Sequence, residues 1–283
     1  MKIGMIGMGF VGGTTAKVLG RVHEILPYDK YKEPYTNSEI LKNSEVVFLS
    51  VPTPMKPSGE MDYSAIHNSL KTLLETTGTK TKLPLVVVRS TAVSGTTDNL
   101  ESRYPFHFAF NPEFLREKHA LEDMLNTDRV VIGANRTEDG QLVEEVYKPL
   151  FPDVEYIHTN TKTAEMIKYA ANVMLAGQIA LANEIHQVCN VVGVNYDSVK
   201  DTILLDERIA RNIDVPGPDG ELGFGGKCFP KDLRALTHLA RECGYNPHLL
   251  EEIWRSNNEW RRNKDWLNIP GATSQNNDFK KNN

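Results

Sequence analysis

A short apolar run, Lys2-Ile3-Gly4-Met5-Ile6, passes directly into Gly7-Met8-Gly9-Phe10-Val11-Gly12 and then into a helical pattern from Thr14 to Leu19. Few folds accept that order. A buried strand must hand over to a helix through one tight turn. The first glycine serves the turn, the second admits a pyrophosphate to the backbone, and the third lets the helix pack on the strand. A second strand, Val22 to Tyr28, ends at Asp29, 20 residues past Gly9. A carboxylate there can bind the hydroxyls of an adenosine ribose.

Because a carboxylate repels a 2′-phosphate, Asp29 favours NAD over NADP as the cofactor. Lys30 and Lys32 oppose that preference slightly, and Lys32 is counted with the cofactor contacts alongside Gly7, Gly9, Phe10, Val11 and Gly12. Continuous apolar segments then recur at Glu45–Val51, Leu85–Ser90, Phe106–Phe110 and Arg129–Gly133. Such runs suit strands buried on both faces. Amphipathic segments such as Tyr63 to Leu74 and Gly140 to Tyr147 supply crossover helices, so residues 1–160 read as a Rossmann-type, doubly wound parallel α/β domain. Its ligands belong beyond the carboxyl ends of the strands.

Residues 161–193 carry one long helical pattern that exceeds the usual globular range. It opens an all-α central domain over 161–267, with helices over 196–207 and 230–266 and a Gly- and Pro-rich loop from Asp214 to Gly226. The long helix offers a face for a second copy, so a homodimer is expected. The stretch Asn268 to Asn283 has almost no large apolar residues and reads as a disordered tail.

With 40% hydrophobic and 24% charged residues, the chain has the composition of an ordinary globular protein. No apolar run reaches the length of a membrane span. With the first strand beginning at residue 2, no signal peptide is expected ahead of it. The net charge of −5 gives no general attraction for nucleic acid. Cys189, Cys228 and Cys243 form an odd set without CxxC spacing, which points to a reducing cytoplasm. There is no HExxH and no Cys/His cluster with ligand spacing, so no metal is expected.

The chemistry concentrates in Gly223-Phe224-Gly225-Gly226-Lys227-Cys228-Phe229-Pro230-Lys231-Asp232. Glycines allow close backbone approach to a ligand, and Pro230 suits the first turn of a helix through Leu236. That arrangement leaves the Cys228 sulfur at the positive end of a helix, near Lys227 and Lys231, where thiolate is favoured. The plainer reading is a small hydrophobic Cys beside a turn. Asp232, four residues on, can bind a water or stabilise its own helix.

Other segments fall where strands end. Val51-Pro52-Thr53-Pro54 is forced into an extended loop by its prolines and would border the nicotinamide. Ser90-Thr91 offers hydroxyls for a water or the cofactor amide; Thr91 also reads as a helix cap. If Asn111-Pro112-Glu113-Phe114-Leu115-Arg116-Glu117 is helical from Pro112, Glu113 and Glu117 share a face, and a carboxylate in a dry cleft can serve as a general base. On the long helix Lys168 and Asn172 are four apart, and an ammonium and an amide aimed at one oxygen suit an oxyanion. For the two glutamates, and for Lys168 with Asn172, the ordinary alternative is a solvated helix surface.

Taken in order, Gly7 to Gly12, Val51-Pro52-Thr53-Pro54, Ser90-Thr91, Asn111 to Glu117, Lys168 with Asn172, and Gly223 to Asp232 closely resemble the UDP-glucose/GDP-mannose dehydrogenase family over nearly all of residues 1–265. Gly-Phe-Gly-Gly-x-Cys-Phe-x-Lys-Asp and Asn-Pro-Glu-Phe-Leu are specific to it; the glycine fingerprint is not. The resemblance implies that the C6 alcohol of a nucleotide-linked hexose, UDP-glucose above all, is oxidised twice with NAD to a carboxylate. Cys228 would form a thiohemiacetal and then a thioester. Lys168 and Asn172 would stabilise oxyanions, Asp232 and Thr91 would position water, and Glu113 would help hydrolysis. Phe114, Leu115, Arg116 and Glu117 would line the sugar-nucleotide site with Phe224, Gly225 and Lys227, and Arg208 or Arg211 would reach the neighbouring subunit's substrate. Members usually carry a third domain that closes over the nucleotide, so this chain reads as a short form. Two alternatives stand beside it: a β-hydroxyacid dehydrogenase, which needs no thiol, and a non-catalytic NAD-binding subunit.

Overall fold

The computed structural model describes residues 1–78 and 80–276. In chain order the elements are β1 (Lys2–Ile6), α1 (Phe10–Leu19), β2 (Glu24–Tyr28), β3 (Val46–Leu49), α2 (Ser64–Thr77), β4 (Leu85–Val88), α3 (Thr96–Arg103), β5 (Phe108–Phe110), α4 (Ala120–Leu125), β6 (Arg129–Ala134), α5 (Thr137–Tyr147), β7 (Glu155–Thr159), α6 (Thr161–Val192), α7 (Tyr196–Ile203), α8 (Cys228–Glu242) and α9 (His248–Trp260). Among the described residues no helix is long and apolar enough to cross a membrane.

Two compact units emerge. Met1–Thr53 and Asp62–Lys168 form the first; Pro54–Met61 and, among the described residues, 169–276 form the second. The division between the units therefore falls inside α6, between Lys168 and Tyr169. The first two turns of that helix belong with the sheet because Ala164 and Ile167 pack into its core.

The first unit is a seven-stranded sheet in the order β2-β1-β3-β4-β5-β6-β7. All its pairings are parallel except β5 with β6, which run antiparallel in the register Ala109↔Ala134 and Phe110↔Gly133. Successive residues of a strand face opposite sides, and the core follows that period. Ile3, Met5, Val46, Phe48, Leu85, Val87 and Ala109 pack on one side with α1, α4 and α5. Val47, Leu49, Val86, Val88, Phe108 and Phe110 pack on the other with α2, α3 and the start of α6. Each such side chain, fully buried, is worth about 1.5–3 kcal/mol, so apolar patterning on both faces suffices to fix the layers. The strand order reverses between β1 and β3, and the carboxyl ends of β1 to β5 lie along one edge of the sheet.

In the second unit α6 continues to Val192 and stops at Gly193, whose φ of +74° suits glycine; the Val194 N–H closes the helix on the Cys189 carbonyl at 2.8 Å. Val173, Ala176, Ala180, Phe224 and Leu233 form its main core. Pro54–Met61 makes a small turn in which Met55 bridges both Met61 and Thr273. That bridge corrects the expected disordered tail over residues 268–276. Ala272 and Thr273 are buried, and Met55 exchanges backbone hydrogen bonds with Ala272 and Ser274 at 2.9 and 2.8 Å. Main-chain pairing supplies what the apolar-poor composition lacks. Residues 277–283 of that expectation lie outside the described residues.

Candidate active site

The candidate residues fall in both units. In the first, the turn after β1 has Gly7 at φ +90°, with a Cβ there meeting the Ser50 backbone. A Cβ on Gly12 would run into the Gly7 carbonyl oxygen, so that position closes helix onto strand. Gly9 differs. It is the N-cap of α1 with no side-chain cap bond, and a Cβ there meets nothing within 4 Å. An uncapped helix N-terminus under open space, at the reversal of strand order, fits a pyrophosphate. Phe10 and Val11 are half-buried in the first turn.

Asp29 accepts the Met8 N–H at 2.7 Å and the Tyr31 N–H at 3.0 Å, while Lys32 Nζ donates to the Met8 carbonyl at 3.0 Å. Both side chains thus hold the glycine turn. After β3, the Val51 N–H donates to Ser90 Oγ at 2.9 Å, and Ser90 Oγ donates back to the Val51 carbonyl at 2.7 Å. The Thr53 hydroxyl donates to the Thr91 carbonyl at 2.9 Å. Ser90 is therefore occupied in joining two loops, with Pro52 between the pinned residues. Thr91 does not cap a helix, since α3 starts five residues later with Gly95 as its N-cap.

The segment after β5 corrects the expectation of a helix from Pro112. Residues 111–116 are irregular, and only Glu117–His119 forms a 3-10 turn. Glu113 is buried and accepts the Leu115 N–H at 2.8 Å, a local side-chain bond that competes with helix formation. Glu117 is exposed, so the two glutamates share no face. Glu113 instead pairs with Lys168, whose Nζ lies 3.1 Å from Oε1 and also donates to the Glu113 carbonyl. The Lys168 ammonium sits 5.4 Å from the Phe114 ring centroid, and the Arg129 guanidinium 5.0 Å from it. Leu115 packs on the sheet core, and exposed Arg116 forks onto Asp123.

Two first-unit groups escape sequence reasoning. Arg89, buried at the end of β4, donates to Asn111 Oδ1 and to the Tyr147 hydroxyl, which itself donates to Asn111 Oδ1 at 2.7 Å. This fixes the start of the Asn-Pro-Glu segment. Glu165, one turn before Lys168 on α6, is fully buried and accepts from Gly95 N–H, Thr97 N–H and the Thr97 hydroxyl at 2.6–2.7 Å. Burial pushes its carboxyl up to about 7, against the opposing pull of those bonds.

In the second unit, α8 begins at Cys228, earlier than Pro230 suggests, with Lys227 as N-cap. Cys228 is half-buried at the first helical position, and Asp232 lies one turn along. Asp232 is 1% exposed and accepts both from Asn172 Nδ2 and from Lys231 Nζ. Phe224 is buried and meets Phe229 edge to face. A Cβ on Gly225 would strike the Arg261 guanidinium and Asp265, so that glycine serves packing within the chain. Arg208 is exposed and forked onto Asp206, and Arg211 is exposed. Cys189 is a core residue of α6, and Cys243 is exposed at the end of α8. Polar residues around the glycine loop, Asn183, Asn257, Arg261 and Asp265, were not singled out by sequence.

Residues 29–151 match the UDP-glucose/GDP-mannose dehydrogenase family, NAD binding domain, and residues 162–259 match the same family's central domain. A UDP-glucose 6-dehydrogenase of Haloferax volcanii is 32% identical over 89% of this chain and 68% of its own length. The chain belongs to the UDP-glucose/GDP-mannose dehydrogenase family. A UDP-glucose 6-dehydrogenase of Rickettsia bellii is 37% identical over 83% of this chain, which spans 54% of that relative. The solved UDP-glucose dehydrogenase of Pyrobaculum islandicum aligns at a TM-score of 0.82 with 29% identity, over 91% of this chain and 68% of its own. The first unit thus carries the family's NAD binding domain, and Cys228, Asp232 and Asn172 all lie within the matched central domain.

Proposed function

We propose that the protein oxidises the C6 alcohol of a nucleotide sugar, UDP-glucose in the first place, to the carboxylate through covalent attachment to Cys228. The observation that carries this is the placement of Cys228 at the first position of a 15-residue helix, one turn from the buried Asp232–Asn172–Lys231 cluster. A hydroxyacid dehydrogenase has no use for a thiol so placed.

Bound NAD would accept the hydride from C6 in each of two successive oxidations, and in the first the C6 hydroxyl proton would pass to solvent water. The open Gly9 turn, with Asp29 facing the ribose, would hold the cofactor, and the Val51–Thr53 and Ser90–Thr91 loops would border its nicotinamide half. At the first aldehyde stage the Cys228 thiolate adds to the carbonyl carbon, and Lys168 and Asn172 donate to the resulting oxyanion. That thiohemiacetal has the C–H bond that the second oxidation removes, and a thioester results. Water positioned by Asp232 and Thr91, with Glu113 taking its proton, adds to the thioester carbon; the carbon–sulfur bond breaks and Cys228 leaves as thiolate. Phe114, Leu115, Arg116, Glu117, Phe224 and Gly225 would line the sugar nucleotide.

The same proposal includes a homodimer through α6. Gln178, Ile185 and Val192 alternate with Met174, Leu181 and Val188 at 4-3-4-3-4 spacing, and Met174 and Leu181 are 67% and 63% exposed. That is the period of a helix-packing seam. Arg208 or Arg211 would then reach the neighbouring subunit's substrate. Sedimentation should give a dimer, and Leu181→Glu should yield monomer.

The deciding assay supplies UDP-glucose and NAD and counts NADH per sugar. Two NADH with UDP-glucuronate is the expected result; one NADH supports single hydride transfer, and no turnover with any nucleotide sugar supports a non-catalytic subunit.

A further inference from the structure

Four side chains from three parts of the second unit converge on the main chain just before Cys228. Asn257, fully buried on α9, accepts the Phe224 N–H at 2.7 Å and donates to the Phe224 carbonyl at 3.0 Å. Asn183 on α6 accepts the Gly223 N–H at 2.9 Å. Asp265 accepts the Gly226 N–H with both carboxylate oxygens at 3.1 Å. Arg261, 2% exposed, reaches the Leu222 carbonyl at 3.5 Å and lies 3.5 Å from Asp265 Oδ2. Gly223 and Gly226 sit at φ +68° and +75°, and Gly225 has no room for a side chain against Arg261 and Asp265.

Every residue from Leu222 to Gly226 is thereby read through its backbone or its missing Cβ. Here the constraint continues to Gly226, two residues from the sulfur. Arg261 and Asp265 also lie beyond residue 259, where the match to the family's central domain ends.

Resting on the reading of Cys228 as nucleophile, we infer that Asn257 and Asp265 are positioning residues that aim its thiol, acting through the Phe224 and Gly226 amides. The charge of Asp265 offers a sign test. A nearby carboxylate opposes thiolate formation, so if it acts by charge alone, both Asp265→Ala and Asp265→Asn should make Cys228 more reactive. If it acts by holding the Gly226 N–H, Asp265→Ala should slow the thiol and Asp265→Asn, which keeps an acceptor oxygen, should restore it.

The experiment is alkylation of the reduced full chain by iodoacetamide from pH 6 to 9, followed peptide by peptide by mass spectrometry, with exposed Cys243 as internal reference. In the natural chain Cys228 should outpace Cys243 at neutral pH. Asp265→Ala and Asn257→Ala should slow Cys228 by about tenfold, the loss that one missing hydrogen bond corresponds to. Asp265→Asn should stay within about twofold, since one neutral hydrogen bond is retained. A high Cys228 rate that survives Asp265→Ala, or that rises in both Asp265 variants, overturns the positioning role alone. A natural-chain rate no higher than that of Cys243 overturns the nucleophile reading and the positioning role with it.

Discussion

The Lys168 ammonium lies 3.1 Å from the Glu113 carboxylate, and both side chains are more than nine-tenths buried. One comes from the sixth helix and the other from an irregular segment after the fifth strand, so the pair ties the beginning of that helix to the edge of the sheet. Removing one partner strands a charge in the interior. Lys168→Met alone should therefore destabilise the protein by about 3–5 kcal/mol, whereas Lys168→Met with Glu113→Leu should recover most of that loss. Urea unfolding of both single variants and the double variant measures the coupling; additive losses would contradict the pairing.

Gly9 and Gly12 should respond oppositely to Ala. At Gly12 a Cβ meets the Gly7 carbonyl, so Gly12→Ala should cost stability outright. At Gly9 the space is open, and as an N-cap the change should cost only about 1 kcal/mol or less. Its Cβ would instead stand where the pyrophosphate approaches. Thermal unfolding without cofactor, beside NAD titration, separates the two: Gly9→Ala should lower the melting temperature by no more than about 4 °C and lose NAD affinity.

Glu165 makes a pH-dependent contribution. Its carboxyl is raised by burial from 4.5 to about 7, so the folded protein holds a proton that the unfolded chain releases. The contribution is fully present below pH 4.5 and is lost as pH rises through about 7, a change on the order of 3 kcal/mol. The stability difference between the natural chain and Glu165→Gln should therefore shrink by that amount between pH 4.5 and 7.5. A difference constant across that window would contradict it.

The parallel sheet was legible because its inner strands are apolar on both faces, as in Val46–Leu49 and Leu85–Val88. The last strand, Glu155–Thr159, was not, since at the edge of the sheet none of its residues is fully buried and it lacks such a run. Nor does sequence specify that β5 and β6 pair antiparallel. The Asn111–Glu117 segment misled because Glu113 bonds its own backbone in place of a helical turn. Asn257, Arg261 and Asp265 belong to no motif; their regular spacing of four was the available signal, and only the returning glycine loop gives it meaning.

The most direct measurement is intact-peptide mass spectrometry of the chain quenched in acid during turnover with UDP-glucose and NAD. A sugar-nucleotide adduct should appear on the Cys228 peptide and not on those of Cys189 or Cys243, and Cys228→Ala should form no carboxylate. Full conversion to the carboxylate by Cys228→Ala, with no adduct on the natural chain, would contradict the account.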